Sequence, residues 1–197
     1  MEKMNINNPF YEAPVYYRDV TGSTMEDSKK DASRGIFHGT VYRTSYQESG
    51  RGRIRGRNWL STKAQNLMFT LVLKRSKLDF ELNYLPLIAG AALTSAVRDY
   101  CGKIFYLKWP NDLIYNGKKC AGILCEADSE YFYCGIGVNC NQIEFPTEIS
   151  HKTISLKSIV NSDIDLDNLN TLILRKFKYF LEKGDEWRNS VESFLYK

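Results

Sequence analysis

Ten residues, GRGRIRGRNW at 50–59, gather four arginines and three glycines ahead of a tryptophan. Guanidinium forks bind carboxylates and phosphates through paired hydrogen bonds, and glycine lets backbone N–H groups come close to such a ligand. The chemistry on offer is anion clamping. The glycines run G-x-G-x-x-x-G, which misses the dinucleotide fingerprint, and no G-x-x-x-x-G-K-S/T phosphate loop occurs in the chain. On its own the segment reads equally as a solvated loop or as a flexible nucleic-acid-binding tract, so its neighbours decide.

LKWPNDLIYNGKKCAGIL at 107–124 is the second unusual stretch. Pro110 keeps Trp109 out of helical space, so the chain turns there and presents Lys108, Asn111 and Asp112 from a strand end. A carboxylate beside an amide and an amine suits a magnesium ion (Mg2+) carried by nucleotide phosphates. An ordinary Asx turn explains Asn111 and Asp112 but leaves Trp109 and Lys108 unexplained. Lys119 follows a turn and precedes CAGIL, where the small Ala121 and Gly122 leave room for a ligand; a turn lysine in isolation faces solvent. GIGVN at 135–139 combines backbone access at Gly135 and Gly137 with the amide of Asn139, although by itself it is a glycine-weakened strand.

The periodicity of the surrounding chain says what must position these residues. VYYRDV (15–20) predicts a strand, followed by a helix that Ser23 or Thr24 caps, with acidic residues in its first turn. GTVYRTSYQ (39–47) predicts a strand running into the Arg/Gly loop, and NLMFTLVLK (66–74) a buried strand. Leu85, Ile88, Ala89, Ala92, Ala96 and Tyr100 share one helical face, with Pro86 in the first turn and Gly102 after the end. KIFYLKW reads as a strand broken by Pro110. Successive strands then turn at Asn116-Gly117 and at residues 128–130. A last amphipathic helix carries Leu166, Leu169, Ile173, Phe177 and Phe180 and stops near Gly184. The predicted fold class is α+β, a mixed and largely antiparallel sheet with helices packed on it.

At 197 residues, 43% hydrophobic, the chain suits a single domain with a real core. No apolar run approaches the roughly 20 residues that span a bilayer, and the N-terminal stretch lacks an export pattern, so the expected setting is the cytoplasm with no membrane partner. The net charge is +4, yet between Glu48 and Asp79 lie eight Lys or Arg and no acidic residue, leaving the remainder net acidic. So local a field suits a small anion or phosphate chain better than a long polyanion. The five cysteines are odd in number, with no C-x-x-C pair, and read as reduced thiols; His38 and His151 stand at no ligand spacing for structural zinc.

Taken in order, Ser23-Thr24, GRGR (50–53) with Trp59, KWPND (108–112) with KCAGIL (119–124), and GIGVN (135–139) resemble the biotin protein ligases, the biotin–acetyl-CoA-carboxylase ligase family. The resemblance implies a catalytic domain related to class II aminoacyl-tRNA synthetases. It implies ATP and biotin as substrates, Mg2+ as cofactor, and a biotin carboxyl carrier domain as acceptor of biotin from biotinyl-5′-AMP. Lys119, Arg51 and Arg53 match catalytic positions. Ser23, Thr24, Gln47, Gly50, Gly122 and Gly135 match the biotin site together with those three, and Trp59, Lys108, Asn111, Asp112 and Asn139 match the nucleotide side with Arg53; Asp112 is the magnesium candidate. The loop is one residue longer than the family's, which leaves the roles of Arg55 and Arg57 open. The expected organisation is the catalytic domain alone, as monomer or homodimer, with no helix-turn-helix domain, hence no DNA partner, and with the family's C-terminal β-barrel missing or vestigial. Competing expectations are a lipoate or octanoate ligase of the same fold, a nucleic-acid-binding module using the Arg/Gly loop, and an inactive relative.

Overall fold

The computed structural model describes residues 1–10, 13–54, 56–78, 82–183 and 186–196. Among these, eight strands form one sheet: β1 (Glu2–Met4), β2 (Val15–Thr21), β3 (Thr40–Gln47), β4 (Leu67–Lys74), β5 (Tyr106–Lys108), β6 (Asp112–Tyr115), β7 (Lys118–Ala127) and β8 (Tyr131–Val138). Their order is β1-β2-β3-β4-β8-β7-β6-β5. Six of the seven neighbouring pairs are antiparallel; β2 and β3 are parallel, because the helix between them, α1 (Thr24–Ala32), supplies the crossover that parallel strands require. The other helices are α2 (Leu85–Cys101), α3 (Thr147–Ser150), α4 (Leu156–Val160), α5 (Leu166–Glu182) and α6 (Glu186–Phe194). None of the described helices is long and apolar enough to cross a membrane.

Period-two alternation sorts the sheet into two faces. Leu67, Phe69, Leu71 and Leu73 of β4 join Phe132, Cys134, Ile136 and Val138 of β8 in the main core, under Ala92, Ala96, Ile173 and Phe177 of α2 and α5. The opposite face is covered in part by α1, where Met25 and Ala32 pack with Tyr42, Val72, Tyr131 and Tyr133. Beyond α1 that face carries the indole of Trp59.

The turns follow the residue chemistry. Asn116 and Gly117 both take positive φ, 47° and 78°, as a tight hairpin demands, and Gly102 closes α2 at φ 61°. Two expectations need correction. KIFYLKW is a strand only over Tyr106–Lys108, because the Phe105 carbonyl accepts a hydrogen bond from Arg98 Nε at 2.9 Å and its ring is buried in the core. Ser23 stands at the N-cap of α1 without a side-chain capping bond; the N–H of the next residue, Thr24, goes to Gln47 Oε1 at 2.9 Å. The chain also forms β1, α3 and α4, which periodicity did not reveal; α4 is capped by the Ser155 hydroxyl. α5 closes at Lys183, while Gly184, the expected stop, and Arg55 of the basic loop lie outside the described residues.

Candidate active site

The part of the sheet face beyond α1 is a floor of small residues. Cross-strand register sets Met68, Gly137 and Gly122 in one row, Thr70, Gly135 and Leu124 in the next, and Val72, Tyr133 and Glu126 beyond. The glycines keep the first row low, and the indole of Trp59 lies on it. A Cβ on Gly137 would come within 2.7 Å of Trp59 Cε2, and one on Gly122 within 3.2 Å of Trp59 Cζ3. Gly122 and Gly137 thus seat a tryptophan; the space that the sequence suggested for ligand is partly filled by the protein's own ring.

Lys119 reaches this face through an irregularity in the ladder. Leu113 pairs with Ala121 but Ile114 pairs with Lys119, so Cys120 is an extra residue bulged between them. Cys120 and Ala121 are both buried in the core, and Lys119 is thrown onto the side of Gly122 and Leu124. Without the bulge, alternation would aim Lys119 into the core. Burial pushes the Cys120 thiol up, which keeps it protonated as donor to the Leu113 carbonyl, 3.3 Å away. The Lys119 backbone is fixed from outside too: its N–H donates to the Lys152 carbonyl at 2.8 Å and its carbonyl accepts from the Ile154 N–H at 3.0 Å. Its Nζ stands 2.7 Å from Asp112 Oδ1 and 5.8 Å from the Trp59 ring centre.

A polar wall stands at the other end. Gln47, the last residue of β3, turns its amide oxygen to the Thr24 N–H at 2.9 Å and to the Thr24 hydroxyl at 3.1 Å. The backbone N–H can only donate, so the amide atom facing it is oxygen and the Thr24 hydroxyl donates to it as well. Thr70 Oγ1, 2.9 Å from Thr24 Oγ1, then donates to Thr24. The chain of donors runs from Thr70 through Thr24 to Gln47. It leaves the Gln47 amide nitrogen, whose partner is Met68 Sδ at 3.8 Å, with one N–H for the cleft.

The Arg/Gly loop is the roof, and it is less free than its composition suggests. The Trp59 N–H donates to the Gly50 carbonyl at 2.8 Å, the Gly52 N–H to Arg57 at 2.7 Å and the Arg57 N–H to Ile54 at 3.0 Å. Gly50 is held to a minimal side chain, because a Cβ there would lie 3.0 Å from Gln47 Nε2 and 3.2 Å from Trp59 Cβ.

Floor, wall and roof border a cleft that is open to solvent on one side, with about 540 Å³ of space between them, the solvent side included. Ser23, Thr24, Gln47, Arg51, Arg53, Trp59, Asn111, Lys119, Gly122 and Gly135 all line it. Four other expected residues do not. Gly50 is buried at the start of the loop, Asp112 reaches the cleft only through Lys119, and Lys108 is exposed on β5. Asn139 is buried, and its amide is turned to the Ile154 carbonyl at 3.4 Å; its place is in the support behind Lys119. Met25 and Thr70 line the cleft without having been singled out. The alternation of β4 was the available signal for Thr70, a lone hydroxyl between apolar neighbours. The buried Trp59 Nε1 has no hydrogen-bond acceptor among the described residues.

The sequence and the fold were compared with known proteins. The model of the Biotin/lipoate A/B protein ligase family matches residues 17–141. The bifunctional ligase/repressor BirA of Bacillus subtilis is 32% identical over 158 residues, which cover 77% of this chain and 48% of that protein. The chain thus spans about half the length of that curated relative. Biotin protein ligase from Aquifex aeolicus, solved with biotin and ATP, superposes with a TM-score of 0.83 at 31% identity, covering 92% of this chain and 78% of that one. The Leishmania major biotin protein ligase, solved with biotinyl-5-AMP, gives 0.80 at 26% identity, covering 91% and 79%.

Proposed function

Since the chain belongs to the biotin/lipoate A/B protein ligase family, we propose that it attaches biotin to a lysine of a biotin carboxyl carrier domain, using ATP and passing through biotinyl-5′-AMP. The observation that carries this reading is the convergence of Lys119, Arg53 and the Gln47–Thr24–Thr70 wall on one cleft. The ureido ring of biotin offers a carbonyl acceptor and N–H donors, and the wall answers with an amide N–H and hydroxyl lone pairs. A lipoyl or octanoyl chain has nothing for that wall to bind, and leaving its polar groups unpaired costs about 1–3 kcal/mol each.

In the first step a carboxylate oxygen of biotin attacks the α-phosphorus of ATP; a P–O bond forms, the bond to the β-phosphate oxygen breaks, and pyrophosphate leaves. Two anions must meet for this, and charge builds on the phosphoryl oxygens. Lys119, fixed on its strand, and Arg53, on the roof, supply the opposing positive charge. The buried Trp59 N–H, without an acceptor among the described residues, is available as a further donor. In the second step the carrier lysine amine attacks the acyl carbon, an amide forms, AMP leaves and the amine loses a proton. Between the steps the loop keeps water from the mixed anhydride.

Among the described residues no three His, Cys, Asp or Glu side chains gather as a metal site. A magnesium ion held mainly by the nucleotide fits nonetheless, because Asp112 Oδ1 makes the ion pair with Lys119 but no well-formed hydrogen bond. Asp112 would be its protein ligand, and the ion would offset the charge of the leaving pyrophosphate. A reaction that consumes ATP and modifies a carrier protein supports a cytoplasmic setting for the enzyme.

The test is to incubate the purified chain with ATP, magnesium, an apo carrier domain and equal amounts of biotin, lipoate and octanoate, and to weigh the carrier by mass spectrometry. Biotin on one lysine is the expected product. Lipoyl or octanoyl product in its place would move the chain to the other branch of the family.

A further inference from the structure

Arg51 and Arg53 stand two residues apart on the roof loop and the resemblance gives them the same task, but their surroundings differ. Arg53 lines the cleft and has no ion-pair partner among the described residues. Arg51 also borders the cleft, yet its Nη2 donates to Glu26 Oε1 and lies 3.4 Å from Glu126 Oε1. Glu26 stands in the first turn of α1. Glu126 stands on the cleft face of β7, one row beyond Leu124, and its second oxygen pairs with Lys29, one turn further along α1. Two carboxylates and two cations therefore close a neutral cluster that joins three pieces of the molecule: loop, helix and sheet.

The charge of Arg51 is spent within that cluster, whereas the charge of Arg53 is free for a ligand. We infer that Glu26 and Glu126 are positioning residues that latch the Arg/Gly loop through Arg51. The role of Arg53 toward an anion belongs to the proposed function; the latch does not depend on it. A single exposed ion pair contributes little. Here one guanidinium is shared by two carboxylates, and one of these is anchored by a lysine on a packed helix, so ordering Arg51 orders the segment that carries it. Glu126 is also the less exposed of the two acids, its side chain 28% exposed against 58% for Glu26, and is the stronger anchor.

The experiment is amide hydrogen exchange over residues 50–59 in the ligand-free full chain, with the amides of β7 and β8 as the internal control for folding. The double variant Glu26→Gln with Glu126→Gln, and Arg51→Gln alone, are each expected to speed exchange in the loop about three- to fivefold. Combining all three substitutions should add nothing further, and Arg53→Gln should leave loop exchange at the wild-type rate. With biotin, ATP and magnesium present the order reverses: Arg53→Gln should release activated biotin fastest, the latch variants more slowly. Wild-type exchange in both latch variants, or additive effects of Arg51→Gln and the glutamate pair, would overturn the latch. Because exchange is read without substrate, loss of the latch and failure of the biotin assignment give separate results.

Discussion

Floor and roof of the cleft are built by opposite means. β7 and β8 are hydrogen-bonded on both sides and backed by a continuous core in which Ile123, Cys134 and Ile136 are buried, so Lys119, Gly122 and Gly135 cannot move without moving the sheet. The roof loop is tied by three short backbone hydrogen bonds, by Trp59 lying on two glycines, and by the Arg51 cluster. In the proposed reaction, the groups that would keep a fixed distance to the reacting atoms sit on the floor, and the group that would let substrate in and hold the intermediate sits on the roof. Local opening is drawn from elements with few buried contacts, and the loop is such an element.

The sharpest way to break this comparison is at Lys119. Lys119→Ala should lower adenylate formation about a thousandfold, by analogy with removing a preorganised donor, while thermal unfolding stays within a degree or two, since the side chain is 36% exposed. A large fall in stability would mean that Lys119 serves the fold and not the chemistry. Gly137→Ala tests the seat of the roof: the new methyl meets Trp59 at 2.7 Å, so the loop must lift. Activity should fall on the order of a hundredfold with a stability loss of about 1–3 kcal/mol, read by pyrophosphate release and by denaturant unfolding. At Gln47 the expected loss is in affinity. Gln47→Met should weaken biotin binding about tenfold to a hundredfold by calorimetry, because Thr24 is left without its acceptor; unchanged affinity would remove the wall from the biotin site. Arg53→Gly should slow adenylate formation less than Lys119→Ala does and should loosen retention, with free biotinyl-AMP escaping about tenfold faster and labelling bystander amines.

Much of the floor was legible because it rests on local signals. The Asn116-Gly117 turn, the continuous apolar run of β4 and the helix ends at Pro86 and Gly102 are set by neighbours in sequence, and the structure follows them. What escaped notice depends on distant partners. The bulge at Cys120 exists only relative to Leu113 and Ile114 on the facing strand, and no motif encodes it. The glycines of CAGIL and GIGVN were read as room for a ligand, but two of them seat the ring of Trp59. Asn139, the last residue of GIGVN, is given to the nucleotide side by the family resemblance; its amide faces the Ile154 carbonyl, in the segment that holds the Lys119 backbone. Glu26 and Glu126 carry no signature at all, since their connection to Arg51 spans 25 and 75 residues of chain.

The most direct test of the account is the exchange of labelled pyrophosphate into ATP by the purified chain with magnesium, with biotin, lipoate or octanoate added in turn. Exchange that requires biotin and disappears in Lys119→Ala is the predicted result. Exchange with lipoate or octanoate alone, or biotin-dependent exchange that persists without Lys119, would contradict it.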